Sequence, residues 1–329
     1  MRRKNKSICV VYGGDSLERG VSIKSAKSIY KAIKDDYIVT MFDFKGDYDV
    51  LYKNIKSSDL VFNALHGGDG EDGTLQKYFE SKHIKYTGSY SKASKIAMNK
   101  HQSKLLCLKN NIQTPKWLCL NAKNFDSHNN KIHQHNDIRK FILHLIKNNS
   151  GLVVKPNNEG SSFGITIVKN IGSNIDVFFN QNKLVNDAVF EGIEKSKEII
   201  FEEYVIGREL TVGILNNKVL PIVEILPTNQ YYDYTCKYTK GKSEYVVPAK
   251  INDDIRSVIE KKALKIYKKI GCSSYARVDF ILNNTGNIFF LEVNTLPGFT
   301  DTSLFPKAAT ASGLSYKELI NKIIDNVSL

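Results

Sequence analysis

Apolar residues in this chain come in short runs separated by clusters of turn residues. Ile8-Cys-Val-Val-Tyr12 reads as a strand over Ser7–Tyr12 that stops at Gly13-Gly14-Asp15-Ser16. A helical pattern then runs to about Lys34. Further strands are expected at Tyr37–Phe42, Leu60–Ala64 and Ile84–Thr87, with a helix near Thr74–Ser81. Strands that alternate with helices predict an open parallel sheet, whose ligands bind beyond the carboxyl ends of the strands. Those ends carry Gly13-Gly14-Asp15-Ser16-Leu17-Glu18 and the stretch His66-Gly-Gly-Asp-Gly-Glu71-Asp-Gly73.

Lys92–Asn110 reads as one helix, stopped by Asn110-Asn111 ahead of Thr114-Pro115, and a new unit is expected near residue 100. Residues 121–137 are polar, and their three histidines, His128, His133 and His135, lack the cysteine or acidic partners of a metal site; a solvated loop is expected. Beyond them come the strand Leu152–Pro156, a Gly-Ser loop, the strand Ile165–Val168 and an amphipathic helix. Strands follow at Glu198–Val205, Glu209–Leu215 and Val219–Leu226, then a loop over 229–245 rich in tyrosine and lysine. Apolar positions from Ile255 to Ile270 recur at helical spacing, and Gly271 suits the helix stop.

The next two runs, Arg277–Leu282 and Ile288–Asn294, predict a β-hairpin with a four-residue turn over 284–287. Alternation puts Val278, Phe280, Leu282, Phe289, Leu291 and Val293 on an apolar face. The other face carries Arg277, Asp279, Glu292 and Asn294, with Asp279 opposite Glu292 and Arg277 opposite Asn294. Directly opposed like charges repel. Mg²⁺ takes oxygen ligands from one or two carboxylates and shares the rest with substrate phosphates, so this face suits a metal-phosphate platform. The plainer alternative is a solvated acidic face with Arg277 as its counter-charge.

Composition narrows the partners. The chain has 329 residues, 42% hydrophobic and 25% charged, which is ordinary for a globular protein of two or three domains. Its formal charge of +13 is spread out, without a dense basic block. Nucleic acid is therefore not the expected partner, and an anionic substrate is. The five cysteines, including Cys236 beside Lys237, form no CxxC pair, so reduced thiols in a cytoplasm are expected. After the charged Met1-Arg-Arg-Lys start, the apolar run Ile8–Tyr12 is too short for a signal peptide, and no membrane insertion is expected.

Two further stretches carry chemistry. The loop Glu159-Gly-Ser-Ser-Phe-Gly164 joins two strands and offers backbone N–H groups and hydroxyls to an anion, with Lys155 four residues upstream as a fixed cation. Without Lys155 it would be an ordinary turn. In Glu202–Glu209 the strand backbone at Glu203–Val205 suits an adenine edge and Glu209 suits ribose hydroxyls, although an exposed strand and turn would look the same.

Taken together, these motifs resemble the ATP-grasp ligases and, more closely, the D-alanine–D-alanine ligase family. The resemblance runs nearly end to end. It rests on Gly13-Gly14-Asp-Ser-Leu-Glu18-Arg19-Gly-Val-Ser22, Leu65-His66-Gly67 with Gly70-Glu-Asp-Gly73, and Lys155-Pro156 with Glu159–Gly164. Tyr232-Asp-Tyr-Thr-Cys-Lys237-Tyr238, Arg277-Val-Asp279, and Leu291-Glu-Val-Asn294-Thr-Leu-Pro-Gly298 with Ser303-Leu304 complete the set. It departs from the usual pattern at Asp15, Gly20 and Thr235-Cys236, none of them a proposed ligand.

The resemblance implies a mixed α/β and α+β protein of three domains: an N-terminal open parallel sheet domain (1–97), a central domain with a Gly-Ser flap (98–200) and a C-terminal domain with the metal hairpin (201–329). The last two would clamp ATP. Two D-alanines would be joined through an acyl phosphate to make a peptidoglycan precursor; addition of D-serine or D-lactate is the alternative. Asp279, Glu292 and Asn294 would hold two Mg²⁺ ions, with Mn²⁺ a substitute. Lys100, Lys155 and Lys237 would grip phosphates, assisted by Ser161 and Ser162, while Glu202, Glu203, Val205 and Glu209 would line the nucleotide cleft. Arg277 and the Gly298 N–H would stabilise the oxyanion. Glu18 would bind the first D-alanine's ammonium, or merely satisfy a helix dipole. Ser303 would bind the second carboxylate, or cap a helix. Ser161 and Tyr238 would link Glu18 to the closing flap, and His66 would orient substrates or serve structurally. A homodimer is implied as well.

Overall fold

The computed structural model describes residues 3–121, 135–160, 164–181, 185, 187–189, 192, 196–227, 243–300 and 302–327. Ser161, Ser162, Cys236, Lys237, Tyr238 and most of the tyrosine-rich loop lie outside the described residues.

Three sheets organise the chain. The first is parallel, in the order β2 (Ile38–Phe44), β1 (Ser7–Gly13), β3 (Leu60–Asn63). β1 is its central strand and runs almost continuously buried, as a strand covered on both faces must. Helices α1 (Arg19–Ile33), α2 (Tyr48–Ile55) and α3 (Thr74–Ser81) accompany it. The expected strand at 84–87 reduces to one parallel bridge, Val61 with Tyr86.

The helix expected over 92–110 is two helices, α4 (Ser91–Met98) and α5 (Lys100–Lys109). Asn99 breaks it: its backbone is extended (φ −80°, ψ 99°), and its side chain accepts from the Gln102 N–H at 2.8 Å as the cap of α5. Asparagine bonds to nearby backbone outside helices more readily than inside them, which makes it a natural breakpoint.

The second sheet is antiparallel, in the order β4 (Trp117–Asn121), β7 (Glu198–Tyr204), β5 (Gly151–Pro156), β6 (Thr166–Val168). α6 (Asn136–Lys147) and α7 (Ile175–Gln181) pack beside it around Ile138, Ile142, Leu152, Val154 and Phe201.

The third sheet is also antiparallel, in the order β11 (Ser243–Val246), β10 (Val223–Pro227), β8 (Gly207–Leu215), β12 (Tyr275–Asn283), β13 (Ile288–Asn294), with β9 (Lys218–Val219) paired to β8. The strand expected over 219–226 splits into β9 and β10 because Pro221 between them has no N–H to give a ladder. α8 (Asp253–Ile270) covers one face, and Gly271 ends it with φ 85°. The core beneath α8 also contains Ala93, Ala97 and Cys107 from α4 and α5.

α9 (Leu304–Ala311) and α10 (Tyr316–Asp325) turn back toward the first sheet. Phe305, Ala309, Leu319 and Ile323 are buried in the same core as Ile8, Val10, Ile29 and Phe62. The Lys317 ammonium sits 2.9 Å from the Asp36 carboxylate across this contact.

Within the β12–β13 hairpin, Arg277 pairs with Asn294 and Asp279 with Glu292, the expected register. Nearer the turn the register differs. Phe280 pairs with Phe290 and Leu282 with Ile288, which leaves Leu291 as the extra residue of a bulge. The loop is one residue shorter than expected: Asn283 N–H donates to the Asn287 carbonyl, and Gly286 supplies φ 81°. A three-residue loop ending on a left-handed glycine is a standard hairpin closure. Because a one-residue slip exchanges sheet faces, Ile288 and Phe290 take the buried positions that alternation assigns to Phe289 and Leu291. The bulge then restores the register at the charged end.

Candidate active site

The charged end of the hairpin opens onto a cleft between all three sheets. Glu18, His66, Glu71, Lys100, Glu159, Gly160, Arg277, Glu292, Asn294 and Gly298 share its walls. Glu18 comes from the residue before α1, His66 and Glu71 from the segment after β3, Lys100 from the first position of α5, Glu159 and Gly160 from the loop after β5, and the rest from the hairpin and the loop after it.

Each of these side chains is held. The Arg277 guanidinium grips the Asp279 carboxylate with two bonds of 3.0 Å, and the Thr211 hydroxyl donates to the same carboxylate. The Lys100 ammonium donates to the Glu159 carbonyl and lies 3.4 Å from a Glu292 oxygen. The Asn294 side-chain oxygen accepts from the Leu296 N–H at 2.8 Å, leaving its second lone pair for another partner. Asp279, Glu292 and Asn294 thus present hard oxygen donors on one face, the donor set that Mg²⁺ prefers. The residues fit such an ion.

Glu18 is buried. It occupies the cap position of α1 without making a side-chain cap bond. Its carboxylate faces Gly160: a methyl group at Gly160 would stand 3.4 Å from Glu18 Oε2 and 3.6 Å from Glu71 Oε2. The beginning of the Gly-Ser loop therefore lies against two carboxylates. His66 is also buried, with Nε2 3.1 Å from the Ser25 hydroxyl and Nδ1 3.6 Å from the Glu71 carboxylate. Ser25 in turn accepts from the Phe299 N–H, which ties His66 to the loop that follows Gly298.

Ser303 precedes α9 but makes no side-chain cap bond. Its hydroxyl accepts from the Thr300 N–H at 3.0 Å and meets the Thr300 hydroxyl at 2.8 Å. A Cβ on residue 298 would stand 2.7 Å from that hydroxyl, so glycine there lets the backbone approach it.

Lys155 opens onto the adjoining part of the cleft with Lys100, Glu159, Gly160 and Glu292. Its ammonium donates to Glu202 Oε1 at 2.6 Å. Glu202 is 2% exposed and is also gripped by Lys104, so its carboxylate faces lysines rather than open cleft. Glu203 accepts from the Ser150 hydroxyl at 2.9 Å, and its N–H donates to the Lys116 carbonyl. Val205 lies just beyond β7, and Glu209 lies on β8 across from Ile281. Neither residue lines the cleft segment that holds Glu18 and Arg277.

Two participants escape a reading of the sequence. Glu71 sits within the quoted Gly70-Glu-Asp-Gly73 motif, and only the fold shows its contact with His66. Lys104 follows Lys100 by four residues, the spacing that stacks side chains on one helix face. That signal stood in the sequence without a partner to give it meaning.

The parallel sheet, the two antiparallel sheets and a cleft rimmed by lysines and a carboxylate hairpin define the ATP-grasp class. Comparison with known proteins narrows it. The family described as D-ala D-ala ligase C-terminus matches residues 106–325, and D-ala D-ala ligase N-terminus matches residues 44–89. The chain is 37% identical to the D-alanine–D-alanine ligase of Aquifex aeolicus over 96% of this chain and 99% of that protein. It is 36% identical to that of Halalkalibacterium halodurans over 98% and 99%. Among solved structures, D-alanine–D-alanine ligase from Bacillus anthracis, determined also in complex with ATP, superposes with a TM-score of 0.79 at 32% identity, covering 98% of this chain and 97% of that one. The VanG D-Ala:D-Ser ligase from Enterococcus faecalis superposes with a TM-score of 0.77 at 28% identity, covering 99% and 100%. The chain belongs to the D-alanine–D-alanine ligase family.

Proposed function

We propose that this chain joins two D-alanine molecules into D-alanyl-D-alanine with ATP, releasing ADP and phosphate, and so supplies a peptidoglycan precursor. The observation that carries the reading is the single cleft that gathers Glu18, Lys100, Arg277, Glu292, Asn294 and Gly298 from three separate parts of the fold.

In this reading the first D-alanine places its ammonium at Glu18, a buried carboxylate. Its carboxylate attacks the γ-phosphate, forming an acyl phosphate. Lys100 and Lys155 bind phosphate oxygens, joined by Lys237 and the Ser161–Ser162 backbone. Asp279, Glu292 and Asn294 would hold Mg²⁺, which when bound would supply positive charge to offset that of the transferring phosphoryl group. The second D-alanine lies with its carboxylate at Ser303, and its amine attacks the acyl carbon. Arg277 and the Gly298 N–H stabilise the oxyanion that develops there. Tyr238 and Ser161 close the flap over Glu18, and closure protects the acyl phosphate from water. Glu203, Val205 and Glu209 receive the adenosine, Glu202 acts through Lys155, and His66 orients the substrates.

Family membership alone motivates a homodimer in the cytoplasm. No helix among the described residues is long and apolar enough to cross a membrane.

The deciding experiment is ADP release by the purified chain with ATP and Mg²⁺, with and without D-alanine. Release that requires D-alanine is expected, with dipeptide as product. Release indifferent to D-alanine would end this reading, and a preference for D-serine or D-lactate in competition would replace the second substrate.

A further inference from the structure

We propose that Lys104 is a positioning residue that fixes Glu202, and through it the Lys155 ammonium, where the nucleotide phosphates arrive. The inference rests on reading Lys155 as a phosphate grip.

Lys104 is completely buried, one helical turn after Lys100 on α5. A fully buried ammonium costs several kcal/mol unless paired and hydrogen-bonded. Here it is both. Its Nζ meets Glu202 Oε2 and donates to the Thr114 hydroxyl at 2.6 Å. That hydroxyl donates to the Phe290 carbonyl at 2.9 Å, and the Phe290 N–H donates to the Gln113 carbonyl at 2.8 Å. Phe290 lies on β13, the strand that carries Glu292. A continuous chain of polar contacts therefore runs from Lys155 on β5 through Glu202, Lys104 and Thr114 to the hairpin, crossing between the two antiparallel sheets.

The charge of this chain also points outward. Two ammonium groups share the Glu202 carboxylate, so these three residues together carry a net positive charge. Burial pulls the Lys104 ammonium down to about 8, and Lys155 pulls the same way, while Glu202, aided by Cys107, resists. An anion arriving at Lys155 would complete the balance. As Lys155 turns toward it, Glu202 is left to Lys104.

Trp117 makes that shift observable. It is the only tryptophan in the sequence, and Lys104 Nζ lies 5.5 Å from its ring centroid. Addition of ADP to the full chain is expected to change Trp117 emission. In K104M, which replaces the ammonium with a chain of similar length, the change should vanish. The KM for ATP should rise about tenfold (about 1.4 kcal/mol) while the KM for D-alanine stays within about twofold. Where K104M does not fold, T114V is read instead; losing the hydroxyl that accepts from the Lys104 ammonium should raise the KM for ATP alone by about threefold.

An emission change that persists in K104M, equal rises in both KM values, or an unaltered KM for ATP would overturn the proposal. Failure of the ligase reading looks different: the unmutated chain would then release no ADP in response to D-alanine, whereas the Trp117 response depends only on nucleotide binding.

Discussion

Two groups of charges stand on either side of the same cleft. Lys104, Glu202 and Lys155 form a sealed group: Lys104 and Glu202 are almost free of solvent, and the single carboxylate faces two lysines. Arg277, Asp279, Glu292 and Lys100 form an open group in which cations and carboxylates are equal in number, and Glu292 remains about 29% exposed at its side chain. The sealed group is fixed by its own geometry and carries a surplus positive charge. The open group is neutral; Asp279 and Lys100 are buried in it, but the Glu292 oxygens stay accessible to an ion. Similar residues thus do two kinds of work, and desolvation separates them: a paired charge away from water resists change, while a paired charge at the rim can exchange partners.

The sharpest way to break the comparison is E202Q. It would leave two buried ammonium groups without a counter-charge and should cost about 3–5 kcal/mol of stability, read by urea unfolding. A loss below about 1 kcal/mol, the scale of an exposed pair, would show that the group is not sealed. R277M acts on the open side. Removal of an oxyanion donor should lower kcat by about 10²–10³, or about 2.7–4 kcal/mol, in the ADP-release assay. Its stability should fall less than that of E202Q, because one buried charge (Asp279) rather than two loses its partner, and the opposite order of stability losses would reverse the two assignments.

Acid tests the sealed group by itself. Burial would raise the Glu202 carboxyl, but Lys104 and Lys155 outweigh burial and hold it below the ordinary value of 4.5. Since the folded value is the lower one, Glu202 contributes stability that is complete above pH 4.5 and is lost as pH falls further through the folded value. Unfolding free energy measured below pH 4.5 should fall more steeply in the unmutated chain than in E202Q. Parallel curves would remove Glu202 from the account. The smallest effect is expected from N99A, which deletes the cap of α5 at a cost of about 1 kcal/mol. Because α5 carries both Lys100 and Lys104, its KM for ATP should rise even though Asn99 does not line the cleft; an unchanged KM would uncouple the helix from both groups.

Much of this was readable beforehand, and the misses share a cause. The pairing of Asp279 with Glu292 followed from alternation and turn residues, since both are local. The bulge at Leu291 did not, because a shorter loop and a bulge offset each other at the charged end and differ only in which phenylalanines point inward. The break at Asn99 was hidden in a continuous helical pattern, and its cap bond to Gln102 is a choice the fold makes between two local options. Lys104 drew no role from the sequence because its counter-charge lies 98 positions away, where only tertiary packing brings it. Among the described residues, Glu18, His66, Glu159, Arg277, Glu292 and Gly298 of those quoted for the family resemblance gather at the cleft because they mark its backbone turns and charges. Their supports Thr114 and Ser25 belong to the fold's long-range packing.

The return of α9 and α10 to the first sheet has a consequence for the order in which the protein can be made. Residues 304–324 supply part of the apolar filling around β1 and α1, which are translated about three hundred positions earlier. A nascent chain that has released only its first sheet still exposes Ile8, Val10 and Ile29 along the surface that Phe305, Leu319 and Ile323 later cover. The ribosome thus delivers the opening strand first and its cover last, and that first layer can finish folding only after the central and hairpin sheets have emerged.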